Sequence, residues 1–199
     1  MRPIALALLF FVFLGSRLAV GQQNPLEAQV QEKFAPGGFV RLHLSPGGYK
    51  IIGGDANGIL ITYTTRNPED LKRVKVKIRA DASTADVYVS ETPHNNFQAT
   101  IEVPPRSDLR ARMVAGEIVI DGVEGSKDVE VDFGRIEVKI PKPQEYGHRD
   151  ASVRAGSIEA SAFDVSKGGL FRSFEQNGPG KYRLHTHIAT GEISLRGPQ

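Results

Sequence analysis

The sequence predicts an all-β fold: an irregular β-solenoid-like stack of short strands, with a two-sheet β-sandwich as the alternative. Three observations carry that prediction. Apolar and polar residues alternate along most of the chain after Phe39, β-branched residues fill the alternating runs, and glycine-marked turns recur at regular intervals.

The alternation is clearest in five runs. Val74, Val76 and Ile78 alternate with Lys75, Lys77 and Arg79, and Phe97, Ala99, Ile101 and Val103 with Gln98, Thr100 and Glu102. Val129, Val131 and Phe133 form a third apolar set, Ile136, Val138 and Ile140 a fourth, and Tyr182, Leu184, Thr186 and Ile188 a fifth. A period of two sends one set to a core and the other to water. Pro68–Arg73 is the one stretch that reads as a short helical turn.

The glycines fall into two series. Gly38, Gly48 and Gly58 are ten residues apart, each just before a short strand. Gly116, Gly134, Gly156 and Gly191 each begin a Gly-x-Ile triplet, ending at Ile118, Ile136, Ile158 and Ile193. Glycine reaches positive φ without a Cβ clash, so these points are expected to reverse the chain between strands, with each isoleucine returning to the core. Repeated units of this kind stack so that each covers its neighbour's apolar face. Two segments break the rhythm. Residues 141–150, with two prolines, read as a loop. Residues 164–180 read as a cap whose Phe171 and Phe174 close one end of the core, or as a binding loop.

Residues 1–21 have the pattern of a secretory signal peptide: Arg2, an apolar run from Ile4 to Leu14, and small residues at Ala19 and Gly21. Cleavage is expected after Gly21, an uncleaved anchor being the alternative. The expected organisation is therefore signal 1–21, a polar leader 22–33 with at most a short helix, and one β-repeat domain over 34–199. Of the 25 basic residues Arg2 and Arg17 lie in the signal, which leaves 23 against 23 acids. That balance argues against nucleic acid as a partner, and no membrane insertion is expected after cleavage. The chain has no Cys, which excludes disulfides, thiolate metal sites and a cysteine nucleophile.

The run Ile101-Glu102-Val103-Pro104, then Leu109-Arg110-Ala111-Arg112, Ala115-Gly116-Glu117-Ile118-Val119-Ile120-Asp121-Gly122-Val123, Asp128-Val129-Glu130-Val131 and Gly134-Arg135-Ile136-Glu137-Val138 resembles the "putative adhesin" family of bacterial exported proteins, a domain family of unknown function. It is also similar to the head domain of auto-transporter adhesins, and Gly191-Glu192-Ile193-Ser194-Leu195 fits their last strand. The resemblance implies an exported all-β repeat domain in the periplasm or at the cell surface. It brings no catalytic residues.

The chain has no nucleophile elbow, phosphate-binding loop, zincin motif, dinucleotide fingerprint or calcium loop, so no catalytic residue and no cofactor is expected. His185 and His187 project from one face of a strand and are weak candidates for metal ligands, a third ligand having to come from His43, His94 or His148. The plainer reading is a polar outer face. Lys72, Arg73, Lys75, Lys77 and Arg79 form a basic stripe, read as a solvated face that pairs with acids such as Glu130 or Asp132, or else as a site for an acidic glycan or nucleic acid. The function expected is that of a non-catalytic adhesin or envelope-binding module, its partner an envelope protein or a glycan, with self-association through strand edges also open. The alternative is an exported carbohydrate-active enzyme with paired acids in a groove.

Overall fold

The computed structural model describes residues 27–54 and 58–198. The expected signal peptide lies outside the described residues. Among the described residues twelve strands form one open hydrogen-bonded sheet. In chain order they are β1 (Glu27–Lys33), β2 (Phe39–Leu44), β3 (Gly47–Gly53), β4 (Gly58–Thr64), β5 (Lys75–Ala80), β6 (Thr84–Ser90), β7 (Gln98–Val103), β8 (Asp108–Asp121), β9 (Lys127–Lys139), β10 (Tyr146–Ala160), β11 (Val165–Asn177) and β12 (Tyr182–Arg196). A short α-helix, α1, spans Pro68–Arg73, as the sequence predicts. Asn67 caps it by accepting from the Glu69 amide at 3.2 Å, Pro68 opens it, and its acids and bases sit at the ends that complement the helix dipole.

The architecture is a stack of bent levels. The first half of β8 pairs in parallel with β2 and its second half with β3, so β2 and β3 together form one level and β8 the next. Successive parallel levels are β6 with β7, β2 with β3, β8, β9, β12 and β10. Antiparallel strands close the ends: β5 on β6, β4 on β7 with β1 beyond it, and β11 on β10. The stack is irregular because β12 inserts between β9 and β10.

The Gly-x-Ile triplets make the bend. Across adjacent strands Gly47, Gly116, Gly134, Gly191, Gly156 and Gly169 stand in one row. Gly116, Gly134, Gly191 and Gly156 have φ between +131° and +145°. A Cβ on Gly134 would lie 1.9 Å from the Gly116 carbonyl oxygen, and one on Gly191 would lie 1.8 Å from that of Gly134. These glycines therefore lie inside long strands and turn a corner; they do not end strands, as the turn reading expected. The isoleucines two residues on, Ile118, Ile136, Ile193 and Ile158, form a second row and are all fully buried. The two halves of each level share one core, with Leu42, Val87, Leu109, Val129 and Ile188 inside the first half and Ile51, Ile101, Ile120, Val138 and Leu195 inside the second.

Four local expectations change. The leader supplies β1, so residues 27–33 are a strand of the sheet, because Val30 and Ala28 pack on the core across from β4. Residues 146–150, expected in a loop, begin β10, since Tyr146 is buried. Residues 164–180 do close one end of the stack, but as strand β11: Phe174 is buried against Phe163, with ring centroids 6.3 Å apart, whereas Phe171 is 77% exposed. Phe133 is 56% exposed, because the corner reverses the in–out register just before Gly134.

Candidate functional site

The outer surface of the first half-levels carries the densest chemistry. Alternation turns one set of side chains, mostly apolar, to the core and leaves every second side chain of β2, β6, β8 and β9 outside. Parallel stacking then lines these outer residues into rows. One row reads Arg79, Asp86, Arg41, Arg110, Asp128, His185, Asp150, Glu175 across β5, β6, β2, β8, β9, β12, β10 and β11. The next reads Lys77, Tyr88, His43, Arg112, Glu130, His187, Ser152, Ser173. The residues come from segments far apart in sequence.

The rows are knitted by ion pairs. Arg41 makes a two-pronged contact with Asp86, at 2.7 and 2.9 Å. Asp128 receives Arg110 Nε and Arg112 Nη2, both at 2.8 Å, and Arg112 also reaches Glu130 at 3.0 Å. Partial burial of Asp128 favours its neutral form, but the two guanidiniums outweigh it and hold the carboxyl below its usual range. His185 Nδ1 lies 2.5 Å from Asp150, and His148 Nε2 lies 3.3 Å from the other oxygen of the same carboxylate. His43 stacks on Tyr88, with ring centroids 4.6 Å apart. Two shallow grooves open on this surface. One, of about 440 Å³, is lined by Arg110, Asp128, Glu130, Arg183 and His185; the other, of about 510 Å³, by His43, Tyr88, Arg112, Glu130 and Asp132.

Four of the five histidines, His43, His148, His185 and His187, thus share one face. They do not meet as ligands of one ion. His187 turns to Ser152 at 2.8 Å, while His185 faces carboxylates. His94 lies elsewhere, beside Asp70, Arg73 and Glu91. Sequence reasoning missed the partners of His185, namely Asp128, Glu130 and Asp150, because register between distant strands brings them together. The basic stripe lies on edge strand β5 and α1, where Lys72 pairs with Glu69 and Lys75 with Glu91. Glu130 and Asp132, offered as its partners, lie on β9, with β6, β2 and β8 between, and Glu130 pairs with Arg112.

Lys127 is a further residue the sequence reading passed over. It occupies the inner register between Leu109 and Leu184 and is 1% exposed. Its ammonium donates to the Tyr146 hydroxyl at 2.5 Å and the Gly125 carbonyl at 2.9 Å. Burial pulls its pKa down to about 8, against the opposing pull of Asp108, Glu124 and Glu145. The signal was available: position 127 has the parity of Val129 and Val131.

No protein-family model matches this sequence, and no curated protein matches it. Among solved structures it superposes on a putative cell adhesion protein from Clostridium sporogenes, with a TM-score of 0.52, 12% identity, and coverage of 86% of this chain and 99% of that one. The chain shares the fold of that protein. A putative adhesin from Bacteroides fragilis is a more distant neighbour, with a TM-score of 0.39, 10% identity, and coverage of 85% and 97%. The fold places the charged rows on an open sheet surface. Among the described residues no helix is long and apolar enough to cross a membrane.

Proposed function

We propose that this chain is an exported, non-catalytic binding module of the adhesin type that uses the outer surface of its first half-levels to hold a polar partner, a glycan or an envelope protein. The observation that carries this reading is the ion-paired lattice from Asp86 to Asp150. Each charge is anchored on a rigid strand and held by a neighbour, so the surface can present fixed donors and acceptors with little ordering cost on binding. The carboxylate whose proton affinity is shifted there, Asp128, moves down, opposite to what a general acid requires.

The test is retention of the mature chain on glycan arrays and on host envelope fractions. Arg41→Ala combined with Arg110→Ala is expected to lower retention at least about tenfold, a loss of ~1.4 kcal/mol in binding. Lys50→Ala, on the outer surface of the second half-levels, is expected to leave it unchanged. Equal loss in both variants would refute the surface assigned. Hydrolysis of a polysaccharide that disappears in Asp150→Asn would refute the non-catalytic reading.

A further inference from the structure

We propose that His185, Glu130 and Asp128 form a divalent-cation site, of the class that zinc fills, on the outer face of β9 and β12. The argument begins at the other nitrogen of the ring. An ionised carboxylate accepts hydrogen bonds and donates none, so the 2.5 Å contact between Asp150 and His185 Nδ1 places the proton on Nδ1. In the neutral ring Nε2 is then a lone pair. Nε2 lies 3.7 Å from Glu130 Oε1, beyond hydrogen-bond distance and close to the separation of two donors on one ion. A cation can sit between them and bind both. A carboxylate behind the ring that fixes the tautomer is also the outer-shell partner that metal-bound histidines use.

Donor atoms of Asp128, Glu130 and His185 all lie within 4.8 Å of one another. Zinc bonds of about 2.0–2.2 Å bring donors to roughly 3.5 Å apart, so these side chains need to draw in by about an ångström. One imidazole nitrogen and two carboxylate oxygens suit zinc, and the open groove leaves a fourth position for water. Charge does not forbid it: with a neutral ring at His185, the carboxylates Asp128, Glu130 and Asp150 balance the guanidiniums of Arg110, Arg112 and Arg183 around the groove. Arg112 is the internal competitor, since its Nη2 already bridges Asp128 and Glu130 at 2.8 and 3.0 Å. An incoming ion therefore displaces that guanidinium. This inference stands apart from the adhesin reading, because cation binding is measured without any partner.

The experiment is calorimetric titration of zinc chloride into the tag-free protein at about pH 7.5. The expected result is saturable binding of one ion per chain, weakened at least about tenfold in both His185→Gln and Glu130→Gln. His187→Gln is expected to bind as the wild type does. Arg112→Met is expected to bind several-fold tighter, an outcome that a merely structural role for the cluster would not produce. Absence of saturable binding by the wild type, binding that survives in His185→Gln with a native circular-dichroism spectrum, or an equal loss in His187→Gln would overturn the proposal.

Discussion

At the residue scale Lys127 shows how a single side chain can set a stability profile. Its folded pKa, about 8, lies below the ordinary 10.5. Between those values the unfolded chain binds more protons than the folded one, so stability rises with pH through that window and is flat, for this group, below it. The lysine thus costs about 3 kcal/mol at neutral pH, as an order of magnitude. Lys127→Met fills the same inner position between Leu109 and Leu184 without a buried charge. It is expected to raise the melting temperature at pH 7 and to flatten the rise from about pH 8 to about pH 9.5. Thermal unfolding of both proteins across that range checks it; a lower melting temperature in the variant would show that the bonds to Tyr146 and Gly125 outweigh the burial of the charge. Asp128 acts with the opposite sign. Its lowered pKa contributes stability that is present above the usual carboxylate range and lost as pH falls through the folded value. Asp128→Asn should therefore make acid unfolding less steep.

At the scale of elements, two features govern the strands. The first is the glycine row at the corner. Gly191→Ala would put a methyl group against the Gly134 carbonyl and force φ of +145° on a residue with a Cβ, and is expected to cost about 2–3 kcal/mol. Gly168→Ala is the control: the nearest atom to its Cβ would be 4.0 Å away, and stability should change by less than about 0.5 kcal/mol. Urea denaturation of the pair decides it. The second is the free edge of β11. Lys167, opposite Ile158, is exposed and donates to the Ser173 carbonyl at 2.7 Å, while Arg172, also exposed, donates to that of Gly168 at 3.0 Å. Charged side chains on an edge strand discourage a second sheet from adding there. Lys167→Val with Arg172→Val is expected to associate with rising concentration in light scattering, under conditions where the wild type scatters less.

At the scale of the whole molecule, stability rests on the centre of the stack. Ile136 is fully buried between Ile118 and Ile193 on the flanking levels, so Ile136→Ala is expected to cost about 2–5 kcal/mol. Phe133→Ser, three residues earlier on the same strand but on the outside of the corner, is expected to stay within about 1 kcal/mol. Chemical denaturation of both variants tests the inside–outside assignment on which the fold depends. Equal losses would mean that the corner does not reverse the register.

Alternation, β-branched content and the Gly-x-Ile triplets were enough to specify an all-β stack with Ile118, Ile136, Ile158 and Ile193 inside, because a period of two and a backbone that tolerates positive φ are local properties. The helix α1 was legible for the same reason, its cap and end charges lying within seven residues. What only the tertiary structure decided was adjacency. Gly191 sits between Gly134 and Gly156, out of chain order, and His185 reaches Asp128, Glu130 and Asp150 although 35 to 57 residues separate them. Those neighbours are set by which strand inserts where. That choice depends on burying one shared core, a property of the whole chain that no local run of residues encodes.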